Sequence, residues 1–257
     1  MRCERPFCPD CLRDASVGFQ CADCFGGPVG PGMRRARRGV TVAGAELAER
    51  AVLVPTLIGV NVLVFLLTAV QGGGAGADQI VESPVYGELA LAPWLVTGGE
   101  WWRLLTYGFV HLGLTHIAFN MLSLWFVGRE LERVFGRARF LVVYLISILG
   151  GGVGVMLFEP QGAAGASGAV FGLLGAILVM LLRLRQPPGQ ILFWIGLNVA
   201  FSILVPNISL AGHLGGLVVG AAAAAILVYA PPHNRTTWQA GGLTTLLVLL
   251  VLVATTA

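Results

Sequence analysis

Four polar side chains stand out because they occur in stretches of sequence that are otherwise apolar. They are a serine, two histidines and an asparagine: Ser167, His116, His213 and Asn120. A serine hydroxyl is a poor nucleophile at neutral pH unless a base lies beside it, and His213, flanked by small residues, is the better candidate for that base. Acyl transfer also needs hydrogen-bond donors for the oxyanion, which His116, Asn120 and the backbone N–H of Ser167 would supply. These residue types indicate a serine nucleophile that acts on a carbonyl carbon.

Glycine spacing gives a reason for the serine and His213 to lie close together. Two pairs show the small-xxx-small spacing that lets helices touch, and they are Gly168 with Gly172 and Gly216 with Gly220. One pair follows the serine and the other follows the histidine. The spacing therefore predicts close contact between the two helices that carry the candidate nucleophile and base.

A second group of chemically active residues lies at the N-terminus, where all five cysteines fall within the first 24 residues. Two Cys-x2-Cys pairs make up the candidate metal ligands Cys8, Cys11, Cys21 and Cys24, with Cys3 as a further candidate. Four thiolates at this spacing suit tetrahedral Zn²⁺, with free thiols as the alternative. The N-terminus lacks the pattern of a secretory signal peptide, which favours metal binding over disulfides. A structural zinc ion would supply most of the folding energy of so short a segment.

Composition identifies the rest of the chain as membrane-embedded. Of its 257 residues, 56% are hydrophobic and 11% are charged, with a mean hydropathy of +0.81, whereas a soluble domain carries roughly 25% charged residues. This composition excludes a disordered chain, a collagen-like repeat and a water-soluble enzyme.

Seven stretches are candidate spans, because a bilayer core of ~30 Å needs about 20 apolar residues in a helix. They are Leu53–Val70, Thr115–Val134, Phe140–Phe158, Ser167–Leu182, Ile191–Val205, Ile208–Tyr229 and Trp238–Thr255. The fourth and fifth are short, so we expect one end of each to open into a water-filled hollow.

The predicted domains are a Cys-rich zinc module over residues 1–27, a Gly/Pro/Arg-rich linker over residues 28–52 and a transmembrane domain over residues 53–257. The linker arginines favour contact with anionic lipid.

Arginine placement predicts the orientation of these spans. Arginines cluster in every second loop, and the opposite loops are acidic, with Arg103 as their only arginine. The positive-inside rule then places the N-terminus in the cytoplasm and the C-terminus outside, in a multi-pass cell-membrane protein. The long first external loop, Gln71–Leu114, is aromatic around Trp94 and Trp102. It is interpreted as an interfacial element, with an ordinary packed loop as the alternative.

This orientation brings the four polar residues to one depth. The second, fourth and sixth spans run from outside to inside, and each carries its polar residues near its outer end. Taken singly, each residue is more often a helix-packing or hydrogen-bonding residue. Together they favour a functional site, since polar groups inside a membrane are expensive. A small transporter is an alternative, but no inverted repeat is evident. A metalloprotease is less favoured because no HExxH motif occurs.

In these motifs the chain resembles the rhomboid family of intramembrane serine proteases, over about Val54–Tyr229. The motifs are Gly165-Ala166-Ser167-Gly168, matching GxSG; His213 with Gly216 and Gly220, matching HxxGxxxG; His111, His116 and Asn120, matching HxxxxHxxxN; Trp102-Arg103 in the long loop; and Gly128-Arg129-Glu130 at the end of the second helix. The resemblance implies an all-α membrane protein, a helical bundle of six core transmembrane helices plus a seventh C-terminal one.

The resemblance also implies residue roles. Ser167 becomes the nucleophile and His213 the base of a dyad without an aspartate, and His116 and Asn120 stabilise the oxyanion. Supporting roles fall to Gly165, Gly168, Phe171, Gly216, Gly220 and His111, with Phe171 packing on the histidine ring and His111 otherwise an interfacial histidine. The resemblance further implies that catalysis needs no cofactor, that substrates are single-span membrane proteins, and that no nucleic acid is involved. A non-catalytic binder of transmembrane clients is the alternative.

The cysteine-rich segment resembles the B-box-like zinc module of some bacterial rhomboids with its beginning missing. The resemblance implies a true start upstream of Met1 and a module that binds a protein partner or itself.

Overall fold

The computed structural model describes residues 40–206 and 208–256, together with the backbone of residues 12–14 and 19–21. The chain divides into two compact units, Met1–Gly39 and Val40–Ala257. In the first unit, β1 (Leu12–Asp14) pairs antiparallel with β2 (Phe19–Cys21). The side chains of the predicted zinc ligands, Cys8, Cys11, Cys21 and Cys24, and of Cys3, lie outside the described residues. The zinc module and the domain boundaries therefore stay predictions.

The second unit is helical. Its helices are α1 (Leu53–Gly72), α2 (Ala77–Ile80), α3 (Pro84–Leu89), α4 (Pro93–Thr97), α5 (Arg103–Thr106), α6 (Leu114–Phe135, π-helical over Leu124–Gly128), α7 (Arg137–Phe158), α8 (Ser167–Arg183), α9 (Gly189–Leu204), α10 (Leu210–Tyr229) and α11 (Arg235–Thr256). The seven longest of these described helices begin and end within three residues of the spans that the sequence predicts. The predicted all-α membrane fold is confirmed.

Length separates these helices into groups. Among the described residues, α1, α7, α10 and α11 with its preceding turn are long and apolar enough to cross a membrane. A fifth candidate is the pair Arg103–Phe109 and Leu114–Phe135, which is bent by 95°. Helices α8 and α9 are apolar but only 17 and 16 residues long, in keeping with the two short spans of the prediction. The chain is a multi-pass membrane protein.

Glycines bring the backbones of α8 and α10 into direct contact. A Cβ atom built on Gly216 would collide with the backbone of Gly168, and one built on Gly220 would collide with the backbone of Gly172. Because a backbone cannot move aside as a side chain can, only glycine fits at these crossing points. The contact that the small-xxx-small spacing predicts is therefore confirmed.

We expect Gly220→Ala to destabilise the fold by about 1–3 kcal/mol, because the added methyl group forces α10 away from α8. The measurement is the thermal unfolding midpoint in detergent micelles. Gly196→Ala on α9 is the matched control, since a Cβ built there meets nothing within 4 Å. Equal midpoints for the two variants would contradict the proposed steric role of Gly220.

A buried glutamate joins α6 to the start of α1. The carboxylate of Glu132 accepts three consecutive backbone N–H groups, those of Val52, Leu53 and Val54, at 2.6, 2.8 and 2.9 Å. The first N–H groups of a helix have no partner inside the helix, and a negative charge at this end also interacts favourably with the helix dipole. Glu132 thus caps the first membrane helix with a residue that follows it by about eighty positions.

The side-chain amide of Gln239 links the last helix, α11, to three other parts of the fold. Gln239 of α11 donates through Nε2 to the carbonyl oxygens of Leu227 at 2.8 Å and Ala43 at 3.0 Å. Its Oε1 accepts from Nε of Arg139 at 2.9 Å. Since Gln239 is buried, these bonds link α11 to α7, to α10 and to the segment that precedes α1.

Candidate active site

Ser167 is the first residue of α8, and its position is set by the turn that precedes it. Gly165 in that turn has φ +121°, a conformation that favours glycine. The N–H of Gly165 donates to the carbonyl oxygen of Tyr107 at 2.9 Å, and the N–H of Ala166 donates to Nε2 of His111 at 3.3 Å. The long loop and its histidine therefore hold the turn that presents the serine hydroxyl.

His213 lies in the first turn of α10, and its imidazole ring is held from two sides. Phe171 of α8 stacks on the ring with a centroid separation of 4.1 Å and an interplanar angle of 15°. On α9, Oγ of Ser202 lies 2.7 Å from Nδ1 of His213. Three helices thus converge on one buried imidazole, whose orientation is restricted before any substrate binds.

Ser167 and His213 lie on the two helices that touch through their glycines. Gly168, next to the serine, faces Gly212 and Gly216, which flank the histidine, so the two candidate residues stand at the same level of the α8–α10 contact. Among the described residues, no hydrogen bond joins the Ser167 hydroxyl to the imidazole. Catalytic hydrogen bonds are often long in the absence of substrate and shorten when it binds.

His116 and Asn120 are near the turn that carries the nucleophile. Nδ1 of His116 accepts the N–H of Leu112 at 3.2 Å, so the ring proton lies on Nε2. A Cβ atom built on Gly165 would approach that Nε2 to 2.7 Å and Nδ2 of Asn120 to 3.9 Å. One amide hydrogen of Asn120 Nδ2 bonds the carbonyl oxygen of His116 at 3.0 Å, and the second is available to another acceptor. Both side chains therefore offer an N–H donor toward the Gly165 turn.

Arg103 organises the loop that flanks this turn. Its side chain is 4% exposed, and Nη1 donates to the carbonyl oxygens of Gly87 at 2.6 Å and Ala90 at 2.8 Å. Nε donates to the Glu100 carboxylate at 2.6 Å. The arginine satisfies carbonyl groups at the end of α3, so it acts as an anchor of the loop that supplies His111.

The described residues contain no group of three or more histidine, cysteine, aspartate or glutamate side chains arranged to hold a metal ion. His111 and His116 lie edge to face, with ring centroids 5.1 Å apart. Each accepts a backbone hydrogen bond, His111 from Ala166 and His116 from Leu112.

Sequence reasoning missed three polar residues that the structure brings into use. Ser202 contacts His213, Glu132 caps α1, and Glu159 accepts the N–H of Ala211 at 2.9 Å at the start of α10. The neighbouring Glu130 belongs to the rhomboid-like motif Gly128-Arg129-Glu130, but its side chain is 68% exposed. A sequence signal for Glu132 does exist, because it is an acidic residue in a segment that is otherwise rich in arginine. A serine in an apolar helix carried no comparable signal for Ser202.

Comparisons with known proteins identify one family. The model of the Rhomboid domain matches residues 98–230, just over half of the chain. Rhomboid protease GluP of Bacillus subtilis is 41% identical over 168 residues, covering 63% of this chain and 32% of that protein. Putative rhomboid protease YdcA of Bacillus subtilis is 41% identical over 132 residues, covering 49% of this chain and 66% of that protein.

A more distant relative gives the same result. Rhomboid protease GlpG of Yersinia pestis is 30% identical over 149 residues, covering 53% of this chain and 54% of that protein. The matched part of the chain thus spans from about a third to about two thirds of the length of these relatives.

Proposed function

Because the chain belongs to the rhomboid family, we propose that it is an intramembrane serine endopeptidase that cleaves transmembrane segments of single-span membrane proteins. Ser167 is the nucleophile and His213 the general base. The observation that carries the proposal is the imidazole of His213, held by Phe171 and Ser202 on a helix in backbone contact with the helix of Ser167. Similarity to proteins named as rhomboid proteases supports the same activity.

The reaction follows from the donors and acceptors around the serine. Oγ of Ser167 attacks the carbonyl carbon of the scissile bond while its proton passes to Nε2 of His213. The oxyanion that forms accepts hydrogen bonds from Nε2–H of His116, the free Nδ2–H of Asn120 and the N–H of Ser167. His213 then gives its proton to the departing amine, and the C–N bond breaks. Water then attacks the acyl carbon while His213 takes its proton. The bond between Oγ of Ser167 and the acyl carbon breaks, and His213 returns the proton to Oγ, which releases the carboxylic acid product and regenerates the serine.

Orientation and partners belong to the same proposal. With the N-terminus in the cytoplasm and the C-terminus outside, α8 begins near the outer face of the cell membrane and the site opens there. A transmembrane substrate then reaches Ser167 from within the lipid. The proposed ligands of the N-terminal cysteine-rich segment are zinc and a cytoplasmic protein partner.

The second candidate is a non-catalytic rhomboid-like protein that binds transmembrane clients. The placement of two N–H donors toward the turn before Ser167 favours the protease, because client binding alone does not require an oxyanion site.

A fluorophosphonate probe distinguishes the two functions. We expect wild-type protein in proteoliposomes to form a covalent adduct at Ser167 and to cut a single-span substrate into two fragments, with the cut identified by mass spectrometry. Ser167→Ala should form no adduct, because it lacks the attacking hydroxyl. Client binding without any adduct or fragment in the wild type would favour the non-catalytic function.

A further inference from the structure

We propose that Ser202 is a positioning residue that holds the proton of His213 on Nδ1, a task that an aspartate performs in Ser-His-Asp triads. The inference deepens the proposed function and rests on His213 being the base. It starts from the contact between Ser202 Oγ and His213 Nδ1 at 2.7 Å, which joins α9 to α10. Both residues are buried, with 5% and 7% of their surfaces exposed.

The position of the proton follows from a second hydrogen bond of the same hydroxyl. Oγ of Ser202 also lies 2.7 Å from the carbonyl oxygen of Asn198, one turn earlier in α9. A carbonyl oxygen only accepts hydrogen bonds, so the single hydroxyl hydrogen must lie between these two oxygens. Oγ then has only lone pairs to offer His213, and Nδ1 of the imidazole must be the donor.

This assignment leaves Nε2 of His213 without a proton. A neutral imidazole carries one proton on either nitrogen, and only the unprotonated nitrogen acts as a base. With Nδ1–H bonded to Ser202, Nε2 is the nitrogen available to take the proton of the Ser167 hydroxyl. The opposite tautomer would place a hydrogen on Nε2 and block that transfer.

The same contact persists when the ring becomes charged. After Nε2 accepts a proton, Nδ1–H still donates to Ser202, and the hydroxyl, already polarised by the Asn198 carbonyl, remains an acceptor. A carboxylate at this position would have to be buried within the membrane protein, where an ionised group is expensive. A hydroxyl fixes the tautomer without introducing a charge.

The test compares purified full-length wild type with Ser202→Ala and Ser202→Thr on a single-span substrate. We expect Ser202→Ala to lower kcat about tenfold, the size of one neutral hydrogen bond, with KM within about twofold. Ser202→Thr, which keeps the hydroxyl, should restore most of kcat. Ser147→Ala is the matched control, because Ser147 is a buried serine that bonds a carbonyl one turn earlier, that of Val143 at 2.7 Å, and forms no hydrogen bond with His213.

A spectroscopic measurement keeps the inference separate from the proposed activity. In protein labelled with ¹⁵N-histidine, a protonated ring nitrogen gives a signal far from that of an unprotonated one, and the His213→Gln variant identifies the signals of His213. We expect Nδ1–H in the wild type and in Ser202→Thr, and a shift toward Nε2–H in Ser202→Ala.

The outcomes divide as follows. A wild type with Nε2–H, an unchanged tautomer in Ser202→Ala, or a Ser202→Ala effect confined to KM would overturn the positioning role. If the wild type neither cleaves nor reacts with the fluorophosphonate, the proposed function fails, while the tautomer spectra still decide the proton assignment.

Discussion

Replacing His213 by alanine is expected to lower the rate of transmembrane-substrate cleavage by about 10⁴-fold or more. Without the imidazole, no group takes the proton of the Ser167 hydroxyl, and none donates to the departing amine. Because nucleophile and base act as one unit, the double variant with Ser167→Ala should be no slower than either single variant. The measurement is the initial cleavage rate in proteoliposomes that contain equal amounts of each reconstituted protein.

The chain contains a matched control for this substitution. His233 is an exposed histidine in the short turn Pro232–Asn234, and His233→Ala should leave the cleavage rate within about twofold because surface substitutions are usually near neutral. A His213→Ala protein that is folded and keeps more than about a tenth of the wild-type rate would show that another group is the base.

The largest effect on stability is expected for Glu132→Ala, at about 3–5 kcal/mol. The substitution leaves three N–H groups at the start of α1 without their acceptor, in a position where the side chain is fully buried. Glu132→Gln should lose less, because one carbonyl oxygen remains as an acceptor. The measurement is the free energy of unfolding in mixed micelles of increasing denaturing-detergent content.

Glu130→Ala provides the comparison on the same helix. Glu130 is 68% exposed and pairs with Arg133 at 3.3 Å, and an exposed pair of this kind contributes about 0–1 kcal/mol. If Glu130→Ala and Glu132→Ala lowered the free energy of unfolding equally, the three hydrogen bonds from the start of α1 to Glu132 would not stabilise the fold as proposed.

The transmembrane helices were predictable from the sequence because each is specified locally. Backbone N–H and C=O groups inside lipid must be satisfied by the protein, and a helix does this within one segment, so a long apolar run predicts a helix. This is why Arg137–Phe158 follows its predicted span closely. The short helices between Ala77 and Thr106 were not predicted individually, because their ends depend on contacts such as those of Arg103 with Gly87 and Ala90.

The candidate site was partly predictable, wherever its residues share a helix or a helix contact. His116 and Asn120 are four residues apart and so lie on one face, and the glycine pairs predicted the α8–α10 contact that the structure contains. Ser202 and Glu132 were missed because their partners lie on other helices. Nothing local in an apolar helix distinguishes a serine that meets an imidazole from one that bonds its own backbone.

The sequence by itself determined the helical membrane architecture, the candidate nucleophile and the candidate base, since hydropathy and motif spacing are properties of single segments. Only the tertiary structure decided which hydroxyl meets His213, which ring nitrogen carries its proton and which carboxylate caps α1. Those features depend on distances between segments brought together by packing. The proton assignment follows from two contacts of Ser202 Oγ, with the carbonyl oxygen of Asn198 and with Nδ1 of His213, at 2.7 Å each. The second contact joins α9 to α10, so only the packing of the two helices creates it.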